Sequence, residues 1–278
     1  MKSSNDLTIG VVQMHSAVAA RDQNLQRASE LVGEAVGRGA QFVVVPEFFN
    51  VEYFAQYRDY AYLDYAEERD GPTLEWASRT ARSNSIWLSA TILYRDKPGV
   101  FYDAMFLFDP DGAEVGKYLK THPAAVYSLE KIYFRPGSKF PVFHIAGWNV
   151  GFMICYDTFF PEVARSLTLR GAELLVAPFA APVHPVWREL HLMRAFENGC
   201  YVAVSNKVGV EGDWTFCGES LIATPGGDIQ KVASSSKDDV LVETLEHSQV
   251  SYWRQRYPML RDRRPDAYGA IVAATEDL

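Results

Sequence analysis

Two stretches of the chain are near copies of each other, and this repetition constrains the fold more than any other feature. Residues 38–47 read RGAQFVVVPE and residues 170–179 read RGAELLVAPF: Arg-Gly-Ala, one polar residue, four apolar residues and a proline. Each follows a segment with helical spacing, NLQRASELVGEAVG (24–37) in one case and PEVARSLTL (161–169) in the other. Each helix in turn follows an apolar strand with an early glycine, IGVVQM (9–14) and VGFMIC (150–155), which puts Met14 and Cys155 at matching places. Glycine ends helices and valine fills strands in unrelated proteins, but the same order of three elements twice over points to an internal pseudo-symmetry.

Further strands are expected at 85–95, 104–110 and 139–147, and a helix at 71–84. A helix at 186–199, a strand at 201–209 and the hairpin-like SLIATPGGDIQKVA (220–233) follow the second copy. Strands and helices interleave without a Ser/Gly-rich linker, so residues 1–278 read as one α/β domain. With 48% hydrophobic and 22% charged residues the composition is that of a globular chain long enough for a large core. A net charge of -8 argues against a nucleic acid or an anionic membrane as partner. ELLVAPFAAPV is the nearest approach to a membrane span, and it carries two prolines. The N-terminal MKSSNDLTIGVVQM lacks the apolar stretch of a signal peptide. Cys155, Cys200 and Cys217 are odd in number and scattered, forming neither a disulfide framework nor a CxxC pair. A reducing, cytoplasmic setting is expected.

Three polar residues stand where strands end: Glu47 after VVVP, Lys120 in GKYLKTHP and Cys155 after GFMI. Read singly, each has a plain explanation: a surface carboxylate, a solvated lysine and a packed thiol. Together they make a set for acyl transfer. A thiol attacks as its thiolate; a carboxylate can take the proton, and an ammonium can stabilise both the thiolate and a developing oxyanion.

On these residues the chain resembles the nitrilase superfamily of carbon–nitrogen hydrolases. VVVPEFF matches the glutamate motif around Glu47, KYLKTHP the lysine motif around Lys120, and CYDTFFPEVAR with RGAELLVAP the cysteine motif around Cys155. A further acidic residue is expected before a Phe-x-Pro-Gly turn, and SLEKIYFRPG supplies Glu130. The resemblance spans about residues 7–250 and implies an α/β fold, a four-layer α-β-β-α sandwich of two similar halves. It also implies paired sandwiches in a homodimer, with the tail at about 251–278 lying at the subunit interface. By the same resemblance Cys155 is the nucleophile, Glu47 the base, and Lys120 with the Tyr156 backbone N–H the oxyanion donors. Glu130 orients Lys120 or the substrate amide, and no metal or organic cofactor is implied.

The branch signals favour amides. Nitrile-cleaving members carry Cys-Trp-Glu, whereas this chain has Cys155-Tyr156-Asp157. Members acting on N-carbamoyl-D-amino acids, and omega-amidases, place arginine just beyond; here Thr158, Phe159 and Phe160 stand there, which disfavours a substrate carboxylate. The expected substrate is a small neutral or amine-bearing amide, including N-carbamoyl amines. Tyr53, Phe54, Tyr127, Tyr156, Phe159 and Trp187 are candidates for the pocket wall, and Glu52, Asp59 and Asp64 for meeting a substrate amine. Arg188 or Arg194 would reverse the preference if either reached the pocket. Rival readings find less support: there is no GxSxG elbow, no GxGxxG after a strand, and no HxxxH among the six histidines. A nitrilase-like binding protein without catalysis is the non-enzyme rival, and the intact Glu47, Lys120 and Cys155 set disfavours it.

Overall fold

The two copies of the repeat each seed one six-stranded sheet. The computed structural model describes residues 5–182 and 184–273. In the first half β1 (Leu7–Gln13), α1 (Arg21–Gly37), β2 (Phe42–Glu47), α2 (Pro72–Asn84) and β3 (Trp87–Lys97) wind into parallel strands, followed by antiparallel β4 (Val100–Phe108) and β5 (Glu114–Leu119). A four-residue helix, α3 (Glu130–Tyr133), leads to the second half. That half runs β6 (Val142–Ile145), β7 (Trp148–Phe152), α4 (Pro161–Leu169), β8 (Leu174–Phe179), α5 (Trp187–Asn198) and β9 (Tyr201–Asn206). A two-stranded ribbon, β10 (Val208–Glu211) and β11 (Trp214–Cys217), then precedes the hairpin β12 (Leu221–Ala223) and β13 (Ile229–Val232). Finally β14 (Asp239–Leu245) returns to the first sheet, followed by α6 (His247–Arg256) and α7 (Gly269–Val272).

The sheet orders are β14-β1-β2-β3-β4-β5 and β6-β7-β8-β9-β12-β13, read from corresponding edges. In both, three central parallel strands are flanked by antiparallel ones. The pseudo-symmetry read from the sequence is therefore present strand for strand. β1 and β2 face β8 and β9 across the middle, with α1 and α2 outside one sheet and α4 and α5 outside the other. This is the expected four-layer α-β-β-α sandwich. Strands β1, β2, β8 and β9 are buried along their whole length, as parallel strands covered on both faces must be, which is why they read as unbroken apolar runs.

The early glycines of the repeat have a packing reason. A Cβ on Gly10 would lie 2.9 Å from the Ala35 Cβ of α1, and one on Gly151 would lie 3.0 Å from Leu167 of α4. Gly10 pairs with Val43 and Gly151 with Leu175, equivalent positions of the two copies, so the same helix-on-strand approach is built twice. The tail boundary near residue 251 falls inside α6, which packs on the body: Arg254 Nε donates to the Gly199 carbonyl at 3.0 Å and Nη2 to the Ala172 carbonyl at 2.6 Å.

Candidate active site

Each candidate side chain is delivered by a specific local device. Pro46 has no N–H, so the ladder from β2 to β3 is interrupted between Val44 and Glu47. Phe48 then turns the chain with φ 51°, leaving Glu47 buried at the strand exit. Lys120 directly follows β5, held on both sides: its N–H donates to the Asp103 carbonyl at 2.9 Å and its carbonyl accepts from Gly137 at 2.8 Å. Gly137 belongs to the Phe-Arg-Pro-Gly turn, and only glycine fits there because a Cβ would collide with the Leu119 carbonyl. Glu130 opens α3.

Cys155 opens a 3₁₀ turn (Cys155–Phe159) with φ 47°, a left-handed conformation that costs a non-glycine residue about 1–2 kcal/mol. Buried Asp157 holds that turn. Its Oδ2 accepts from the Ile154 N–H at 3.1 Å and the Tyr118 hydroxyl at 2.7 Å, and its Oδ1 from the His122 N–H at 2.9 Å. The His122 ring lies 2.8 Å from the same oxygen and stacks on Phe160.

The Lys120 ammonium sits among three carboxylates, 2.7 Å from Glu47 Oε1, 2.7 Å from Glu130 Oε2 and 3.0 Å from Asp103 Oδ2, all with fully buried side chains. Burial alone would favour losing the Lys120 proton, but Glu130, Glu47 and Asp103 together hold its pKa well above the usual lysine range. Glu47, Asp103 and Glu130 form the one cluster of potential cation-binding groups among the described residues, and the ammonium of Lys120 is the cation they surround. Glu47 Oε2 has no hydrogen-bond partner. Burial pushes the Cys155 thiol well above its ordinary range; Glu47 adds to this, while Lys120 and the Ala180 backbone N–H oppose it. The thiol thus shares its cluster with a carboxylate that has an unpartnered oxygen.

A family model described as carbon-nitrogen hydrolase matches residues 8–255. The chain belongs to the carbon–nitrogen hydrolase family. It is 33% identical over 263 residues to a nitrilase of Pyrococcus abyssi, covering 94% of this chain and 98% of that protein. It is 29% identical over 290 residues to an N-carbamoylputrescine amidase of Oryza sativa, covering 97% and 96%. A carbon-nitrogen hydrolase crystal structure from Helicobacter pylori superposes with a TM-score of 0.92 at 26% identity, covering 98% and 99%.

In this carbon–nitrogen hydrolase, Cys155 opens into a cavity of about 580 Å³. Tyr53, Tyr127, Tyr156, Phe159 and Trp187 line it as expected from the sequence, joined by Phe179 and Trp214. A larger cavity of about 670 Å³ lies between α4 and the C-terminal segment, and none of the candidate site residues lines it. Phe54 does not reach this cavity; it is buried in the cluster under the loop, against Phe48, Tyr62 and Tyr133. Nor do the three acids. Glu52 is buried and accepts from the Ala19 N–H and the Tyr65 hydroxyl, Asp59 caps the turn at Ala61, and Asp64 is exposed. The arginines are also occupied elsewhere: Arg188 pairs with Glu219, and Arg194 with the Thr158 carbonyl and Glu197. No Asp, Glu, Lys or Arg lines this cavity among the described residues.

Three groups at the site went unnoticed in the sequence, Asp103, Trp214 and the Lys207–Glu211 pair, while Asp157 was read as a branch signal and not as the group that holds the cysteine turn. Trp214 stacks on Tyr53 with ring centroids 5.0 Å apart. Tyr53 in turn gives its hydroxyl to Glu130 Oε1 at 2.7 Å and meets Ser128 at 2.8 Å. The buried Lys207 ammonium bonds Glu211 at 2.8 Å and the Val51 carbonyl at 2.8 Å, while Glu211 takes the Tyr53 N–H at 2.8 Å. This pair anchors the loop that presents Tyr53. The i, i+4 spacing of Lys207 and Glu211 was the only sequence signal for it, and on a β-ribbon that spacing carries no helical meaning.

Proposed function

We propose that this chain hydrolyses small, uncharged amides through a thioester on Cys155. The carrying observation is that a reactive constellation opens into an aromatic cavity lined by no acidic or basic chain other than His184 among the described residues. Glu47 Oε2 takes the thiol proton as sulfur attacks the substrate carbonyl carbon. The Tyr156 N–H and Lys120 meet the resulting oxyanion. Collapse returns the proton from Glu47 to the leaving nitrogen, expelling ammonia or an amine. Glu47 then deprotonates water, which attacks the thioester and frees the acid and the thiol. Glu130, fixed by Tyr53 and by the Ala124 N–H at 2.7 Å, holds Lys120 in place.

An acid-bearing substrate would enter a site with no arginine to pair its charge, and the positions of Glu52, Asp59 and Asp64 leave an amine-bearing one equally without a counter-charge. The expected substrate therefore narrows to neutral amides and neutral N-carbamoyl amines. A panel of neutral, acidic and cationic amides with nitriles, read by ammonia release, tests this. Neutral amides should exceed charged analogues in kcat/KM by at least about tenfold, roughly 1.4 kcal/mol, with nitriles poorer still. A panel led by N-carbamoyl amino acids or dicarboxylic monoamides overturns it. The exposed Tyr257, Ile271 and Val272 beyond α6 support the reading that the tail meets a second copy, which sedimentation would check.

A further inference from the structure

Asp103 has no place in the Glu47–Lys120–Cys155 chemistry above, yet it is 1% exposed and lies within the same cluster. It sits in the middle of β4, opposite Leu93 of β3, and its backbone carbonyl bonds the N–H of Lys120. Were Glu47, Asp103 and Glu130 all ionised, the single ammonium would leave two uncompensated negative charges fully buried. Each such charge costs several kcal/mol. Carboxylates forced together relieve this by one of them keeping its proton.

Geometry selects which one. Glu130 accepts from the Tyr53 hydroxyl and the Ala124 N–H and touches Lys120 at 2.7 Å, so donors surround it. Glu47 accepts from Lys120 at 2.7 Å. Asp103 has the longest contact to Lys120, 3.0 Å, and neither of its oxygens finds a hydrogen-bond donor. The remaining oxygen of Glu47 is likewise unpartnered. A proton on Asp103 joins these two orphans through one lone pair of Glu47 Oε2, and the second lone pair of that oxygen stays open for the thiol proton.

We propose that Asp103 is a positioning residue held as a neutral carboxylic acid, its O–H donating a hydrogen bond to Glu47 and so keeping the base aligned between Lys120 and Cys155. Burial, the largest influence, and the neighbouring Glu47 and Glu130 push the Asp103 carboxyl well above the usual carboxylate range against the pull of Lys120. The groups facing it are Glu47 from β2, Lys120 after β5 and Glu130 from α3, with Cys155 next in the same electrostatic cluster. The proposal rests on the amidase reading for its consequence, though not for the proton itself.

Asp103→Asn keeps an N–H for Glu47 and an oxygen for Lys120, so it should hold kcat/KM on the best amide within about threefold and leave the pH profile unmoved. Asp103→Leu keeps the bulk and loses the donor, so kcat should fall about 10- to 100-fold, the range for a hydrogen bond to a charged group, with KM little changed. In the infrared, wild type at neutral pH should show the C=O stretch of a protonated carboxylic acid, shifted by isotope-labelled aspartate and not by labelled glutamate. That stretch should vanish in Asp103→Asn. The proposal is overturned if no such band exists, if it follows labelled glutamate, if it persists in Asp103→Asn, or if folded Asp103→Asn loses more than about tenfold in rate. The infrared arm needs no turnover and no variant, so it stands whether or not amides prove to be the substrate.

Discussion

The Tyr118 hydroxyl donates to Asp157 at 2.7 Å, and that one buried bond joins the strand leading to Lys120 with the turn carrying Cys155. The site is assembled from both halves of the sandwich, and this contact, with that of the His122 N–H to Asp157, ties them together there. Asp157 lies close to Tyr118, with burial and the Asp157 charge pushing the phenol well above its ordinary range, so it serves as a donor throughout the working pH range. Tyr118→Phe removes that donor but leaves Asp157 the N–H groups of Ile154 and His122. A stability loss of about 1–3 kcal/mol is expected by chemical denaturation, together with a fall in kcat larger than any rise in KM. An unchanged kcat would show that the halves are aligned by other contacts.

Cys155→Ala should abolish turnover while preserving the fold, because alanine fills nearly the same volume at the turn. The other two thiols are poor substitutes: neither Cys200 nor Cys217 lines the cavity onto which Cys155 opens, and burial pushes both up to about 12 with neither Glu47 nor Lys120 acting on them. Lys120→Ala should cost at least the roughly 10²–10³-fold typical of a lost oxyanion donor, plus about 3–5 kcal/mol of stability for the buried carboxylates it strands. Glu47→Gln should block both acylation and deacylation, so a burst-phase assay should detect no acyl-enzyme. Activity that survived in Cys155→Ala but was lost in Cys217→Ala would move the nucleophile.

His191 predicts an acid sensitivity. It is fully buried between Phe179 and Trp187, both ring nitrogens lack partners, and burial, with Arg194 adding to it, lowers its pKa from 6.5 to about 3. Below pH 6.5 the unfolded chain takes up a proton that the folded one refuses until near pH 3, so this residue erodes stability as pH falls through that window. The slope is about 1.4 kcal/mol per pH unit. Unfolding free energies at pH 7 and pH 5 should converge in His191→Leu relative to wild type; equal gaps in the two proteins would mean that His191 is protonated in the fold.

Phe159 tests the cavity's lack of charge. It lines the wall beside Tyr156 and stacks edge-on to His184. Phe159→Arg should raise kcat/KM for an acid-bearing amide about tenfold relative to its neutral analogue, by giving the carboxylate a bidentate partner. No change in that ratio would place the substrate's distal group elsewhere.

The parts of the site legible in the sequence were those written in short windows. Glu47, Lys120 and Cys155 each stand at a strand end inside a short recognisable motif, and the repeat announced the two sheets. Asp103 was hidden because it lies inside FYDAMFLF, an apolar strand, and comes beside Lys120 only when β4 pairs antiparallel with β5, where Ala104 faces Leu119. Trp214 was hidden for a similar reason: the β10–β11 ribbon brings it onto Tyr53 from far along the chain. The pocket assignments that failed, Phe54 and the acids of 52–64, lie in or beside the irregular loop after β2, where no periodicity says which way a side chain points. α6 escaped notice because its face is mixed, with only Val250 buried.

Strand β14 also dictates an order of events at the ribosome. Leu7 pairs with Leu245, so one side of β1 has no partner until residues 239–245 have been made. Through most of synthesis β1, apolar and destined for full burial, presents an open row of N–H and C=O groups to any other nascent strand. The half that carries Glu47 and Lys120 is thus emitted first but sealed last, and a chain arrested ahead of residue 239 is left with a sticky sheet margin.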